Sequence, residues 1–401
     1  MQHNAPNKKP ANTQESAFSA QNGTFKRNIG IIAALALLIL FAAMLLPANL
    51  FKTYNSIDTA GKFIEQFMTN VNDFSATLAN TGTGGFYDIT ICRYVAAFIA
   101  GALLGTCGCV FQGTFRNPLA SPSTLGVVSG ALMGSVLFYL FLQPDLFDAA
   151  TLTISQAMEV YGSLNPLAFA WAVYGRAICA IIGGLAVVGV ALLLARFMGN
   201  GAAGNIVLVV IGQVFAISIT SVVDTIRYYY EATGQLAIAN QVAMADAAPF
   251  ELITGFPQLA FTCIPLVAGL VALNLLRGKL NALSFSDEEA RSMGVDVARF
   301  RTGIVVLCTV LIGICVAFCG PIVFVGFVSP HVARKVVGSD FRFLLPASML
   351  IGSIFLTVVF FIVSQFDIDM QQGINLITSA VGCIAFLTVA FTSRGGAHAW
   401  R

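Results

Sequence analysis

The chain has 401 residues, of which 57% are hydrophobic and 10% are charged, with 21 basic and 19 acidic side chains. Soluble globular proteins carry about 25% charged residues, and the mean hydropathy of +0.83 also lies far from that class. The composition therefore excludes a soluble enzyme, a disordered protein and a nucleic-acid-binding protein, and it indicates an integral membrane protein.

The chain order predicts one transmembrane domain over residues 29–395, between a disordered cytoplasmic tail at 1–28 and a short one at 396–401. A spanning helix needs about 20 mainly apolar residues, and we interpret the first such segment as a retained helix, not a signal peptide. The predicted spans are 29–46, 90–114, 123–142, 167–195, 205–225, 257–276, 302–319, 321–335, 344–364 and 373–392. The eighth is short and begins at a Gly-Pro break, so a re-entrant segment would look similar.

Charge placement predicts the orientation of these spans. With the N-terminus inside, 16 of the 21 basic residues lie in inner segments and 13 of the 19 acidic residues lie in outer ones. This asymmetry follows the positive-inside rule, and it would weaken if the eighth segment did not cross. We therefore expect a multi-pass protein of the cytoplasmic (inner) membrane with both termini in the cytoplasm. Arg93, Arg176 and Asp224 are predicted at outer helix ends, where water or snorkelling can reach them.

The residue types that usually carry catalysis are sparse. All nine cysteines lie in apolar segments, which favours packing over a disulfide framework or a zinc site. His331 follows a proline at an inner helix end, where a structural role is favoured over a metal ligand. No phosphate-binding loop of the G-x-x-x-x-G-K-[ST] type occurs. We predict no catalytic residues, no metal site and no ATP hydrolysis by this chain.

The longest inner loop, 284–301, has the pattern of a helix-turn-helix. Ser286 can cap a helix that begins with three acidic residues, and Gly294 is placed to end it before a second helix begins at Val295 and Asp296. The alternative is a solvated loop, but a long structured loop among short ones is more often an interface.

Two further segments combine glycine and proline. Closely spaced Gly101 and Gly105 allow helix backbones to approach each other. The pairs Asn117-Pro118 and Ser121-Pro122 predict a rigid, non-helical inner turn, and Gly320-Pro321 predicts a break between two spans.

Together these segments resemble the FecCD-type permeases, a family of importers for iron-siderophores, haem and cobalamin. The resemblance covers roughly 90–395 and rests on three motifs: Gln112…Arg116-Asn117-Pro118-Leu119-Ala120, Asp287-Glu288-Glu289-Ala290…Gly294, and Gly320-Pro321…Phe324-Val325-Gly326…Pro330-His331…Arg334. It implies an all-α, type II ABC importer permease fold with about ten transmembrane helices. It also implies a second permease (identical or a paralogue), two cytoplasmic ATPases that hold ATP and Mg²⁺, and an extracytoplasmic substrate-binding protein. No cofactor is expected on this chain itself.

The same resemblance implies roles for individual residues. The ATPase-coupling residues would be Asp287, Glu288, Glu289, Ala290, Arg291 and Gly294. The gates and the translocation path would include Asn117, Pro118, Leu119, Gly201, Ala202, Gln213, Ser218, Ser221 and the neighbouring Asp224. Arg93 would dock the binding protein, although Thr90 stands where the family usually has a first arginine. This and other departures near the outer mouth leave the cargo open.

The predicted function is the permease subunit of an ATP-driven importer that moves an iron chelate, with an iron-siderophore favoured over haem or cobalamin. An ion-coupled secondary transporter is the alternative from another class. Such proteins usually keep acidic residues at mid-membrane, and none of the predicted spans has one there. An intramembrane enzyme ranks last, because the spans hold no candidate group of acid, base and nucleophile.

Overall fold

The computed structural model describes residues 29–30, 32–36, 38–39, 86–142, 166–198, 202–247, 250, 253, 256–283, 285, 287–366 and 369–393. The predicted tails and half of the predicted first span lie outside these ranges, although the described residues between 29 and 39 are helical. From residue 86 onward, the described elements are helices joined by turns. They are α1 (Phe86–Thr114), α2 (Val127–Leu137, continued by a π-helix, Phe138–Leu142), α3 (Pro166–Met198), α4 (Ala202–Ala232), α5 (Leu236–Ala247), α6 (Phe256–Leu275), α7 (Arg277–Ala282), α8 (Asp287–Ser292), α9 (Val297–Cys319), α10 (Val325–Val337), α11 (Phe341–Ser364) and α12 (Met370–Ser393).

The described part of the chain confirms an all-helical, multi-pass membrane protein. Six helices are long and apolar enough to cross a membrane, and they coincide with six predicted spans: Ile91–Thr114, Tyr174–Ala195, Val207–Ala232, Val297–Cys319, Phe341–Ser364 and Met370–Thr388. Two shorter apolar helices, Val127–Leu142 and Leu259–Leu275, coincide with two more.

The predicted eighth span is helical over only part of its length. Its helix, α10, has 13 residues and is therefore about 20 Å long, short of the about 30 Å of a bilayer core. Residues 320–324 precede it as a non-helical run that ends in a turn, because Phe324 has φ 64 and the Val325 amide donates to the Val323 carbonyl at 2.8 Å. The run starts beside α12, where the Gln371 amide donates to the Pro321 carbonyl at 2.7 Å. At the far end of α10, Arg334 donates to Gln112 near the end of α1. The crossing of this segment therefore stays a prediction.

Helix α1 lies at the centre of the core and approaches its neighbours backbone to backbone. A Cβ atom on Gly101 would overlap the Gly352 carbonyl of α11, and one on Gly105 would overlap the Ser348 carbonyl. Gly108 meets α10 in the same way at Gly326. The close helix contacts predicted from the glycines are therefore confirmed, and they fix α1 against α10 and α11.

The predicted inner and outer segments meet at opposite ends of the bundle. At one end, the Phe341 amide donates to the Asn281 side chain at 3.3 Å. At the other end, the hydroxyls of Tyr94 and Ser364 are 3.2 Å apart, and the Phe250 and Phe360 rings pack with their centroids 5.2 Å apart. The alternation of loops that the sequence predicts agrees with these contacts.

Two expectations about the outer end were wrong. The segment 226–256 was expected to be a loop, but α4 continues to Ala232 and α5 follows it. Helix α5 is only 12 residues long and contains polar side chains, so a search for spans overlooks it. Arg176 is not at a solvent-accessible helix end, because its side chain is only 5% exposed. It donates to the Tyr139 hydroxyl at 3.1 Å and to the Ala245 carbonyl of α5 at 3.2 Å.

Candidate functional site

The turn after α1, residues 115–126, is fixed by its own hydrogen bonds. Arg116 has φ 48, a left-handed conformation that ends the helix, and the Asn117 amide donates back to the Gln112 carbonyl at 3.1 Å. The Asn117 side-chain oxygen then accepts the Leu119 amide at 2.9 Å. Pro118 within this Asx turn cannot donate to a helix, so the rigid inner turn predicted from the sequence is confirmed.

The second half of the turn depends on Thr124. Its hydroxyl donates to the Leu119 carbonyl at 2.9 Å and accepts the Ser121 amide at 2.8 Å. Gly126 then adopts φ 75 and lies so close to the Gly212 carbonyl of α4 that a Cβ atom there would be 3.1 Å away. The turn is thereby pressed against α4, the helix predicted to line the path.

Helix α8 exposes its charges and buries one small side chain. Glu288, Glu289 and Arg291 are exposed. Ala290 is buried against Leu283 and Val297. This small apolar contact fixes the helix on the bundle and leaves its acidic face open.

The helix-turn-helix expected over 284–301 is observed in a modified form. Gly294 has φ 81, and the Val295 amide donates to the Ala290 carbonyl at 3.1 Å, so this glycine ends α8 as predicted. The second helix is not separate: Asp296 caps the Arg299 amide at 3.2 Å, and the first turn of α9 continues into the span. Ser286, the predicted cap of α8, lies outside the described residues.

Arg116 joins the turn to α8. Its Nε donates to the Leu283 carbonyl at 2.9 Å, and its Nη2 donates to the Phe285 carbonyl and lies 2.7 Å from Asp287 Oδ1. Arg301 of α9 reaches the same Asp287 oxygen at 3.4 Å. Two motifs that are distant in sequence, the turn after α1 and the acidic start of α8, are therefore one contact in space.

A buried polar cluster lies one helical turn deeper. Gln112 is 0% exposed, accepts from Arg334, and lies 3.4 Å from His331 Nδ1. His331 Nδ1 is 2.8 Å from the Phe327 carbonyl, a contact that orients the ring. The Arg334–Gln112 bond holds α10 against α1, whereas the bond of His331 lies within α10. Within the described ranges, no three His, Cys, Asp or Glu side chains converge as a metal ion would require.

A cavity of about 380 Å³ lies between α2, α4, α12 and the run before α10. Of the residues predicted to line the path, Gln213 and Ser221 are on its wall, and the turn contributes Thr124. The other wall residues are all hydroxyl-bearing, amide or apolar: Ser123, Val128, Ser129, Leu132, Ala216, Ile217, Thr220, Pro321, Val323, Phe324 and Asn375. The wall is therefore uncharged, and polar and apolar side chains contribute to it in equal number; Ser123, Ser129, Thr220 and Asn375 are polar wall residues that the sequence analysis missed.

The remaining predicted site residues are dispersed. Ser218 and Asp224 are exposed on α4 but are not on the cavity wall. Ala202 begins α4, and Gly201 lies outside the described residues. Arg93 is half-buried, and its Nε donates to the Ile253 carbonyl at 3.3 Å, so it contributes to the packing of the outer end.

Comparison with known proteins identifies the family. Residues 31–392 match the model of the FecCD transport family. The chain belongs to the FecCD transport family. The matched range includes all three motifs, and the contacts between Gln112 and Arg334 and between Arg116 and Asp287 join them pairwise in space.

Several FecCD relatives carry names that state a cargo. The hemin transport system permease protein HmuU of Yersinia pestis is 29% identical, over 79% of this chain and 88% of that protein. The Fe(3+)-citrate import system permease protein YfmD of Bacillus subtilis is 30% identical, over 75% and 80%. A solved structure described as a metal-chelate type ABC transporter in an inward-facing conformation has a TM-score of 0.63 and 21% identity. It covers 90% of this chain and 99% of that chain, which shows the shared fold.

Proposed function

We propose that this chain is the permease subunit of an ATP-driven importer that moves an iron chelate across the cytoplasmic membrane. The observation that carries the proposal is the uncharged cavity, lined by both polar and apolar side chains, beside the turn after α1. A ferric siderophore is the preferred cargo, and haem or ferric citrate, as in the names of relatives, are the alternatives within the same class.

The chemistry of the cavity suits a bulky chelate in transit. Hydroxyl and amide groups on its wall can form hydrogen bonds with a chelate. Because these groups are uncharged, they would bind the chelate weakly, and weak binding allows it to leave the path. Its volume of about 380 Å³ lies at the small end for a ligand site. A second permease, identical or a paralogue, would be the partner that provides the remaining space for a bulky cargo.

The exposed acidic face of α8 is where the ATPase subunit would dock. The acidic side chains Glu288 and Glu289 project from a helix whose only buried residue is Ala290. A charged, structured loop of this kind is typical of a protein interface. ATP and Mg²⁺ would be held by that ATPase, and an extracytoplasmic binding protein would deliver the chelate to the opposite end. Both termini would be cytoplasmic, in accord with the positive-inside count.

Uptake and co-purification test the class of transporter. We expect an ATPase subunit to co-purify with the chain, and cells that lack the chain to lose uptake of a radiolabelled ferric siderophore. Glu289→Arg should abolish both co-purification and ATP-dependent uptake. The matched control is Glu231→Arg, an exposed glutamate at the far end of α4. Uptake that persists without any ATPase would refute the proposal, and uptake of molybdate with none of any iron chelate would refute the cargo class.

A second experiment tests the cavity itself. Ser221→Phe would fill part of the wall, and we expect uptake to fall about tenfold or more while the ATPase still co-purifies. Such a fall corresponds to about 1.4 kcal/mol on the transport step. Val190→Phe adds a phenyl ring on the exposed face of α3 and should leave uptake unchanged. Equal effects of both variants would mean that the cavity is not the path.

A further inference from the structure

We propose that Arg116 is the positioning residue that transmits movement of α8 to the turn at 117–126. The inference rests on the proposed function and adds a route to it. Helix α8 is followed by α9, so displacement of α8 could also travel along α9 alone. The structure contains a second, direct connection from α8 to the end of α1 through Arg116.

The Arg116 side chain is bound on the α8 side at three acceptors. These are the carbonyls of Leu283 and Phe285 and the carboxylate of Asp287, the first residue of α8. A guanidinium presents its donors in a rigid plane, so it cannot keep all three bonds if the 283–287 segment moves independently of it. A lysine at this position could not form the same three hydrogen bonds, because its ammonium group is a single compact charge without the planar arrangement of donors.

The Arg116 backbone is bound just as firmly on the turn side. Its left-handed φ of 48 and the bond from the Asn117 amide to the Gln112 carbonyl make it the joint between α1 and the turn. Hydrogen bonds continue from there along the turn: the Leu119 amide donates to the Asn117 side chain, and the Thr124 hydroxyl donates to the Leu119 carbonyl. Thr124 is on the cavity wall.

Asp287 also contacts a second arginine, Arg301, which belongs to α9. Arg301 reaches the same oxygen from α9 at 3.4 Å, so Asp287 is shared between the α9 route and the Arg116 route. Since the α1 end is also bonded to α10 through Gln112, a pull on Arg116 acts on a turn whose deeper side is held. The turn would therefore move as one rigid unit about its junction with α1.

The test measures whether ATP still moves the turn when the Arg116 contact is lost. A cysteine replaces Leu119 in the permease–ATPase complex, and its reaction rate with a membrane-impermeant maleimide is measured with and without ATP plus vanadate. The unaltered parent gives the background of the native cysteines. We expect ATP plus vanadate to change the Leu119→Cys rate by about fivefold or more, the scale of a typical coupling between sites.

Arg116→Gln should abolish that change while the ATPase still co-purifies and still hydrolyses ATP. Asp287→Asn, which leaves the two carbonyl bonds in place, should reduce it partially, and the double variant should be no worse than Arg116→Gln because both act on one link. Arg342→Gln, an exposed arginine at the same end of the bundle, is the matched control and should respond like the parent.

Each other outcome is decisive. An unchanged response in Arg116→Gln would assign transmission to α9 and overturn the inference. Loss of the ATPase from both Arg116→Gln and Asp287→Asn would make the contact a docking support, which also overturns it. If the ATPase binds but ATP leaves Leu119→Cys unaffected in the parent background, the inference fails and the proposed function stands. If no ATPase binds the parent, the proposed function itself fails.

Discussion

Substitution of Gly108 by alanine should test the packing of α1 most directly. A Cβ atom at this position would lie 2.5 Å from the carbonyl carbon of Gly326 and 2.7 Å from its Cα, and closer still to the carbonyl oxygen. Carbon atoms pack at about 3.5–4.0 Å. The obstructing atoms belong to the backbone of α10, so no side-chain rotation can relieve the overlap, and the two helices must separate by about 1 Å.

That separation sets the size of the effect. A gap of about 0.5–1 Å already forfeits a quarter to a half of each dispersion contact across an interface. Overpacking of this kind costs about 1–3 kcal/mol, and we expect Gly108→Ala to lie at the upper end because the backbone itself must move. The thermal midpoint of the purified protein should fall by roughly 3–6 °C, on the scale known for domains.

The assay is thermal unfolding in detergent, followed by the loss of the monodisperse peak on size-exclusion chromatography. Gly189→Ala on α3 is the matched control, because nothing lies within 4 Å of the added Cβ atom and alanine favours a helix by about 0.5–1 kcal/mol. A midpoint for Gly108→Ala within about 1 °C of the parent would refute the backbone contact between α1 and α10.

Substitutions at three further positions probe single local features of the structure. Arg176→Gln should release α5, because hydrogen bonds to a charged group contribute about 1.5–3 kcal/mol, and amide hydrogen exchange within α5 should rise. Gln112→Leu takes a buried acceptor from Arg334 at a cost of about 1–3 kcal/mol, measurable as a lower thermal midpoint, whereas Gln112→Glu should retain the contact. Gly294→Ala meets no neighbouring atom, so its cost of about 1–2 kcal/mol comes from the left-handed backbone alone, and it should weaken co-purification of the ATPase.

The spans were predictable from the sequence because length and hydropathy are local properties. A run of about 20 apolar residues must be a helix in lipid, where each backbone polar group needs an internal partner. The same argument fails for short elements. Helix α5 and the eighth predicted span, which is only partly helical, depend on contacts with neighbours such as Tyr139, Arg176 and Gln371. Their own sequences do not specify these contacts.

The candidate site divides in the same way. The turn at Asn117-Pro118 follows from local chemistry, since proline and an Asx side chain exclude a helix there. That Arg116 would meet Asp287, a residue 171 positions away, does not follow from either motif. The cavity also required the fold, because its wall is drawn from four separate segments and includes polar residues that have no signature of their own.

The sequence by itself determined that this protein lies in a membrane, where its long apolar helices run and to which family it is similar. All of these depend on residue type and local spacing. Only the tertiary structure decided that Arg176 is buried, that Gln213 and Ser221 share a cavity while Ser218 does not, and that the turn after α1 is bonded to α8. Such contacts arise from helix packing at glycines like Gly108, where backbone geometry sets which distant side chains meet.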